Sequence, residues 1–161
     1  MQNVVPVLRA MNIVGAGLVA GAQVFVMLAL IPAMKGWPST TSARLHRDAM
    51  ITAPETYLRP SAATSMVTAV LLMLLQRNHK TLPGIFNLAG LAAQLVNTFI
   101  SARWEWPINN EILTWSSDSE IPPENYEEMR ETWDQMHFWR LLGSVAAFVC
   151  FALAGGAERR K

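Results

Sequence analysis

His46 and His137 each stand close to arginine, in "LHRD" at Leu45–Asp48 and "HFWR" at His137–Arg140. A neutral imidazole, with its ordinary pKa near ~6.5, is a general base at physiological pH. A neighbouring guanidinium favours that neutral form, and it can hold the organic anion left when the base removes a proton. The same two histidines with Glu111 or Asp48 form a second arrangement, a two-histidine, one-carboxylate set suited to non-haem iron, with copper as another option. No local HxxH or HExxH spacing supports that set. Cys150 is the only cysteine, so an intrachain disulfide, a CxxC redox pair and a thiolate zinc cluster are excluded. On a 3.6-residue period Arg130, Trp133, His137 and Arg140 fall along one stripe, with Tyr126 and Met129 above them. One helix face thus presents two guanidiniums, an imidazole and an indole, and Trp133 is placed to wall a pocket for a flat aromatic ligand.

The elements that must carry these residues follow from the charge distribution. Apolar residues make up 52% of the 161, too many for an ordinary soluble domain, and charges are nearly absent from four blocks: Ala10–Met34, Ala62–Leu75, Leu82–Ile100 and Leu141–Ala157. A helix needs ~20 residues to cross a hydrocarbon layer of ~30 Å. The expected fold is therefore all-α, a single-domain four-helix transmembrane bundle over residues 1–161, with spans near 10–34, 60–76, 82–100 and 138–157. The first block is too long for a signal-peptide core, whose apolar run is roughly 7–15 residues. A soluble all-helical core would need amphipathic faces that this chain lacks. The net charge of +1, with no basic run interleaved with aromatics, gives no sign of nucleic-acid binding.

Four spans put both termini and the loop at 77–82 on one side, where Glu158 is the only acid among six basic residues: Arg9, Arg77, Lys80, Arg159, Arg160 and Lys161. The positive-inside rule makes that side cytoplasmic. The long stretches 35–59 and 101–137 then face the other way, where the eleven acids other than Glu158 lie, and they hold most side chains capable of chemistry: His46, Arg47, Asp48, Tyr57 and Arg59 in the first, His137 and its neighbours in the second. His79 belongs to the cytoplasmic loop.

Within the first stretch, Ser42–Thr52 reads as a short helix capped by Ser42 and stopped before Pro54. In "WEWPINNEILTW", Trp104–Trp115, Pro107 reads as the end of the third helix, with Asn109 and Asn110 satisfying freed backbone groups. From Pro123 the signs of a helix return, and it runs unbroken into the fourth span as an extra-membrane extension. Six tryptophans, Trp37, Trp104, Trp106, Trp115, Trp133 and Trp139, fall just outside the spans, the pattern of an interfacial belt; Trp133 fits it least. Asn12 and Gln23 share a face of the first helix, and Asn87, Gln94, Asn97 and Ser101 a face of the third. Such residues either bond between helices or floor a polar cavity. Gly17 and Gly21 form a small-xxx-small step for close helix packing.

The exit "RWEWPINNEILTW" and the approach "MRETWDQMHFWR" resemble the anthrone oxygenase-like family of small integral membrane proteins, also called DUF1772. The matching residues are Pro107, Asn109, Asn110 and Trp115 in the first motif and Arg130, Trp133, His137 and Arg140 in the second. The resemblance covers the chain by topology and Trp104–Arg140 by motif; His46, Arg47 and Arg59 are carried over from a looser likeness. It implies a monooxygenase of polyketide and secondary metabolism that turns anthrones into anthraquinones with O2, without an established cofactor. On that footing His137 or His46 is the base, Arg140, Arg47 and Arg130 clamp the anion, Trp133 and Tyr57 wall the site, and Asn109 orients a substrate oxygen. Arg59 and Trp115 join the substrate-binding set. The partners implied are a polycyclic aromatic substrate, O2 and the bilayer, with a homo-oligomer compatible with so small a bundle. The reading from another class is a non-catalytic membrane module that binds a hydrophobic metabolite or supports a partner enzyme, with the acidic segment Glu105–Asp134 as a docking surface.

Overall fold

A computed structural model describes residues 4–77, 80–115 and 124–158, with the backbone alone at 53–55. His79, the proline pair at 122–123 and the basic residues 159–161 lie outside them. The described residues contain no strand and form four long helices: α1 Val4–Met34, α2 Ser39–Gln76, α3 Leu82–Thr114 and α4 Tyr126–Glu158. Each is long and apolar enough to cross a membrane. α1 packs on α2 and α4, α3 lies along α4, and α2 touches α3, which closes a ring.

The distribution of side chains is the reverse of a soluble bundle. Along α1, Val7, Met11, Val14 and Leu18 face outward, while Asn12, Gly15, Ala16, Val19 and Gln23 are buried. Polar groups cost free energy in hydrocarbon, so they turn to the interior and the apolar residues face lipid. The chain is an integral, multi-pass membrane protein.

Small residues let the helices approach. Ala16, Ala69, Ala147 and Phe151 form the mid-bundle core. Phe151 lies against Gly90, where an added Cβ would stand 2.5 Å from its ring. The closest backbone approach of α1 is at Gly15, where a Cβ would meet the Ser61 carbonyl oxygen at 2.7 Å. The expected Gly17/Gly21 step does not supply it: a Cβ on Gly17 meets only the Phe148 ring, and on Gly21 nothing within 4 Å. Interhelical hydrogen bonds account for several buried amides. Asn12 Nδ2 donates to the Ser65 carbonyl at 2.8 Å, and Asn87 Nδ2 to the Ala69 carbonyl at 2.9 Å. At the end of the bundle near both termini, Arg9 pairs with Glu158 at 2.5 Å, and Asn87 and Gln76 join the cluster.

At the opposite end three helices widen. π-helical turns occupy Val26–Leu30 in α1, His46–Thr52 in α2 and Ser101–Glu105 in α3. Two residues after the end of each stands a proline: Pro32, Pro54 and Pro107. A proline in a helix removes one backbone donor and crowds the carbonyl four residues back. In all three cases the residue four back, Leu28, Met50 or Arg103, lies in the widened turn, and the helix continues. The expected stops before Pro54 and at Pro107 are corrected accordingly: α2 runs through to Gln76, and α3 continues to Thr114. α4 is unbroken from the outer segment to the far end of the bundle, as the sequence indicates. Trp37, Trp106 and Trp139 are exposed, as belt residues are, whereas Trp133 is buried.

Candidate functional site

The three widened turns converge on one cavity of about 180 Å³. Val26 and Leu30 line it from the first turn, Ala49, Met50 and Ile51 from the second and Glu105 from the third. A π turn adds a residue to the helical circuit and rotates the side chains that follow, which is why such turns collect at functional sites. α4 contributes Trp133, His137 and Arg140, whose spacing of four and three residues puts them on one face. Gln23 forms part of the floor, while Phe25, Tyr57 and Trp106, all well exposed, mark the open side.

His137 is almost completely buried, and its Nε2 lies 3.1 Å from the Gln23 carbonyl. A carbonyl only accepts, so Nε2 carries the proton and Nδ1 keeps its lone pair. Nδ1 has no hydrogen-bond partner. It faces Oε1 of Glu105 at 3.8 Å, too far for a hydrogen bond, and that oxygen is unpartnered as well. The other Glu105 oxygen pairs closely with Arg140 Nη1. Arg140 is committed on every side: its Nε donates to Asn97 Oδ1 at 3.2 Å, and with the Gln23 amide oxygen turned to the guanidinium, Nη2 donates to it at 3.1 Å. Gln23 in that orientation also donates to the Arg140 carbonyl at 3.0 Å, which joins α1 to α4 beneath the cavity.

Trp133 stacks on His137, with ring centres 4.7 Å apart and planes within 10°. Its Nε1 donates to Asn109 Oδ1 at 2.9 Å, so Asn109 fixes the indole. On the far side of the indole, His46 meets it edge-on at 4.6 Å.

The expected site residues therefore separate. His137, Arg140, Trp133, Asn109, Tyr57 and Arg59 line the cavity, with Arg59 above the Trp106 ring at 5.8 Å. His46, Arg47, Arg130 and Trp115 are not among its walls. His46 is wholly buried behind Trp133 and beside Tyr126, Arg130 pairs with Glu127 at 2.9 Å, and Trp115 packs on the cluster of Ala43, Ile51, Ile112, Tyr126 and Met129. Both histidines contact the Trp133 ring, and Glu111, one of the two carboxylates of the iron-type set, accepts from Asn125 at 2.8 Å. Among the described residues no three of His, Cys, Asp and Glu are grouped to hold a metal.

Gln23 is in the floor, one of the two roles open to it from the sequence, whereas Glu105 was not foreseen at the site. The sequence carried a signal for Glu105, an acid five residues beyond Ile100 at the edge of an apolar span, where a charge requires a partner. A larger hollow lies at the terminal end of the bundle, but its polar residues Arg9, Gln76 and Glu158 bond one another. Of these two cavities, the first combines apolar walls with unsatisfied buried acceptors.

A family model described as anthrone oxygenase matches residues 48–150, well over half of the chain. The protein belongs to the anthrone oxygenase family. No curated protein and no solved structure gives a match. Tyr57, Arg59, Glu105, Asn109, Trp133, His137 and Arg140 lie within the anthrone oxygenase match, whereas Gln23 and His46 lie before it. The matched region thus supplies the wall that holds Glu105, Trp133, His137 and Arg140, and α1 supplies the floor.

Proposed function

We propose that this protein is a cofactor-independent membrane oxygenase that converts an anthrone, or a related polycyclic phenolic, to a quinone with O2. The observation that carries the reading is the unpartnered lone pair of His137 Nδ1, held on the wall of an apolar cavity beside the face of Trp133 in a chain of this family. On this reading Nδ1 takes one proton from the substrate and leaves an electron-rich anthranolate. The imidazolium so formed lies on the indole face and opposite the Glu105 carboxylate, both of which favour the cation. The anthranolate gives an electron to O2, the two radicals combine, and the imidazolium returns its proton to give a hydroperoxide. Loss of the second proton from the same carbon, with cleavage of the O–O bond, leaves a carbonyl and releases water. One CH2 group and one O2 become one C=O and one H2O.

The chain's part is to place the ring system, remove the proton and keep water from the anion. Tyr57 supplies a flat wall at the open side, Trp133 backs the His137 imidazole, and Arg59 adds positive charge near the developing anion. Arg140, engaged with Glu105, Asn97 and Gln23, is a positioning residue in this scheme. The positive-inside distribution supports an orientation with both termini in the cytoplasm and the cavity toward the opposite side.

Oxygen uptake by the purified, detergent-solubilised protein given an anthrone tests this. The expected result is one O2 consumed per quinone formed, faster than the spontaneous reaction and independent of the iron and copper content of the same sample. Uptake no faster than the spontaneous rate, or uptake that tracks bound metal, contradicts it.

A further inference from the structure

The cavity has a roof and an open side, and the two face different surroundings. At its outer end Ile31 and Met34 of α1 pack on Met50 and Trp133, and beyond them Ala43, Ile112 and Tyr126 join α2, α3 and α4. All of these described residues are buried, so apolar packing covers the end that points to water. The open side lies elsewhere: Phe25, Tyr57 and Trp106 line the cavity and are still 58%, 48% and 45% exposed. Phe25 stands seven residues, almost two helical turns, beyond the exposed Leu18, so both side chains look out of the bundle in one direction. That direction is the lipid-facing side of α1. Phe25 also lies sixteen residues from Arg9, whose ion pair with Glu158 marks the polar boundary at the closed end. At ~1.5 Å per residue the rise is ~24 Å, which keeps Phe25 within a hydrocarbon layer of ~30 Å. At the outer rim of the opening the Arg59 guanidinium stands 5.8 Å from the Trp106 ring, a cation and an indole where headgroups begin.

We propose that the cavity is filled from the membrane: a flat apolar aromatic dissolved in the leaflet at that end passes sideways between Phe25, Tyr57 and Trp106, and does not enter through the aqueous end. The substrate class is thus a ring system that partitions into lipid before it is bound. The proposal rests on the cavity being the substrate site of the proposed oxygenase, but its test requires no turnover. The full-length protein, with isotope-labelled methionine methyl groups, is placed in phosphatidylcholine nanodiscs and observed by NMR without oxygen. Met50 lines the cavity and reports an aromatic ring inside it, Met11 faces lipid and reports non-specific contact, and Met50→Leu, a volume-conserving change, identifies the first resonance. Three probes are compared: free anthracene, anthracene carried on a phosphatidylcholine acyl chain short enough to hold it at the depth of Phe25, and anthracene fixed to dextran by a linker too short to reach the hydrocarbon. The free and lipid-borne rings are expected to shift the Met50 resonance alike, and the dextran-borne ring to leave it in place. A dextran-borne ring that shifts Met50 overturns the proposal, even if the protein oxidises anthrones. So does a lipid-borne ring that leaves Met50 unmoved where free anthracene shifts it. A Met50 resonance that free anthracene does not move overturns the proposal together with the site. Absence of oxygen uptake beside the expected shifts would instead contradict the oxygenase reading alone.

Discussion

At the scale of single residues, the site turns on which polar atoms are already engaged. Arg140 looked in the sequence like a clamp for an anionic substrate, but its guanidinium is held by Glu105, Asn97 and Gln23. Removing it leaves a carboxylate that is 2% exposed without its counter-ion, and breaking a buried pair from one side typically costs about 3–5 kcal/mol. Arg140→Gln is therefore expected to lower unfolding stability in detergent by about 3 kcal/mol, whereas Glu105→Leu/Arg140→Leu stays within about 1 kcal/mol of wild type. Equal losses in the single and double variants would show that the pair is not what holds this wall. The two histidines were equivalent as sequence, each near an arginine. Only the packing separates them, because the Trp133 indole stands between His46 and the cavity.

At the scale of elements, the spans were legible because lipid imposes a simple condition, a long run without charge, and the chain meets it four times. The stripe Arg130, Trp133, His137 and Arg140, with Tyr126 and Met129 above it, was legible in part for a similar reason: helical periodicity fixes which residues share a face, and Trp133, His137 and Arg140 line the cavity while Arg130 pairs with Glu127 away from it. The prolines misled because proline is a helix breaker in a standard α-turn, while Pro32, Pro54 and Pro107 each follow a widened one. Those turns bring Glu105 and Met50 to the cavity, and the one local sign of them is the proline two residues after each. The close helix contact expected at Gly17 and Gly21 is found instead at Gly15, on the same helix, against Ser61 of α2. Gly15→Ala drives a Cβ against backbone and is expected to lower stability by about 1–3 kcal/mol. Gly21→Ala meets open space and should leave stability unchanged or raise it by up to about 1 kcal/mol through helix propensity. Thermal unfolding of the two variants in one detergent checks both, and a Gly21→Ala protein that is the less stable contradicts this packing.

At the scale of the whole molecule, the two ends of the bundle differ in kind. One end is closed by Arg9, Glu158, Gln76 and Asn87 bonded to each other, and the other opens a cavity whose buried acceptors are unmatched. The charge asymmetry supports the proposed orientation, with the closed end in the cytoplasm. In a Cys150→Ser background, a cysteine at Lys80 is expected to react with an impermeant maleimide only from the cytoplasmic side and one at Lys35 only from the opposite side; reversed labelling contradicts that orientation. The function assigned to the open end depends on one atom, Nδ1 of His137. The most direct measurement is oxygen uptake with an anthrone by wild type and by His137→Phe, a variant that keeps an aromatic ring against Trp133 but has no lone pair to accept a proton. General-base catalysis typically contributes about 10²–10⁴-fold, so the folded variant should lose at least about 100-fold in rate above the spontaneous reaction. A folded His137→Phe protein that oxidises anthrone at the wild-type rate would contradict the account.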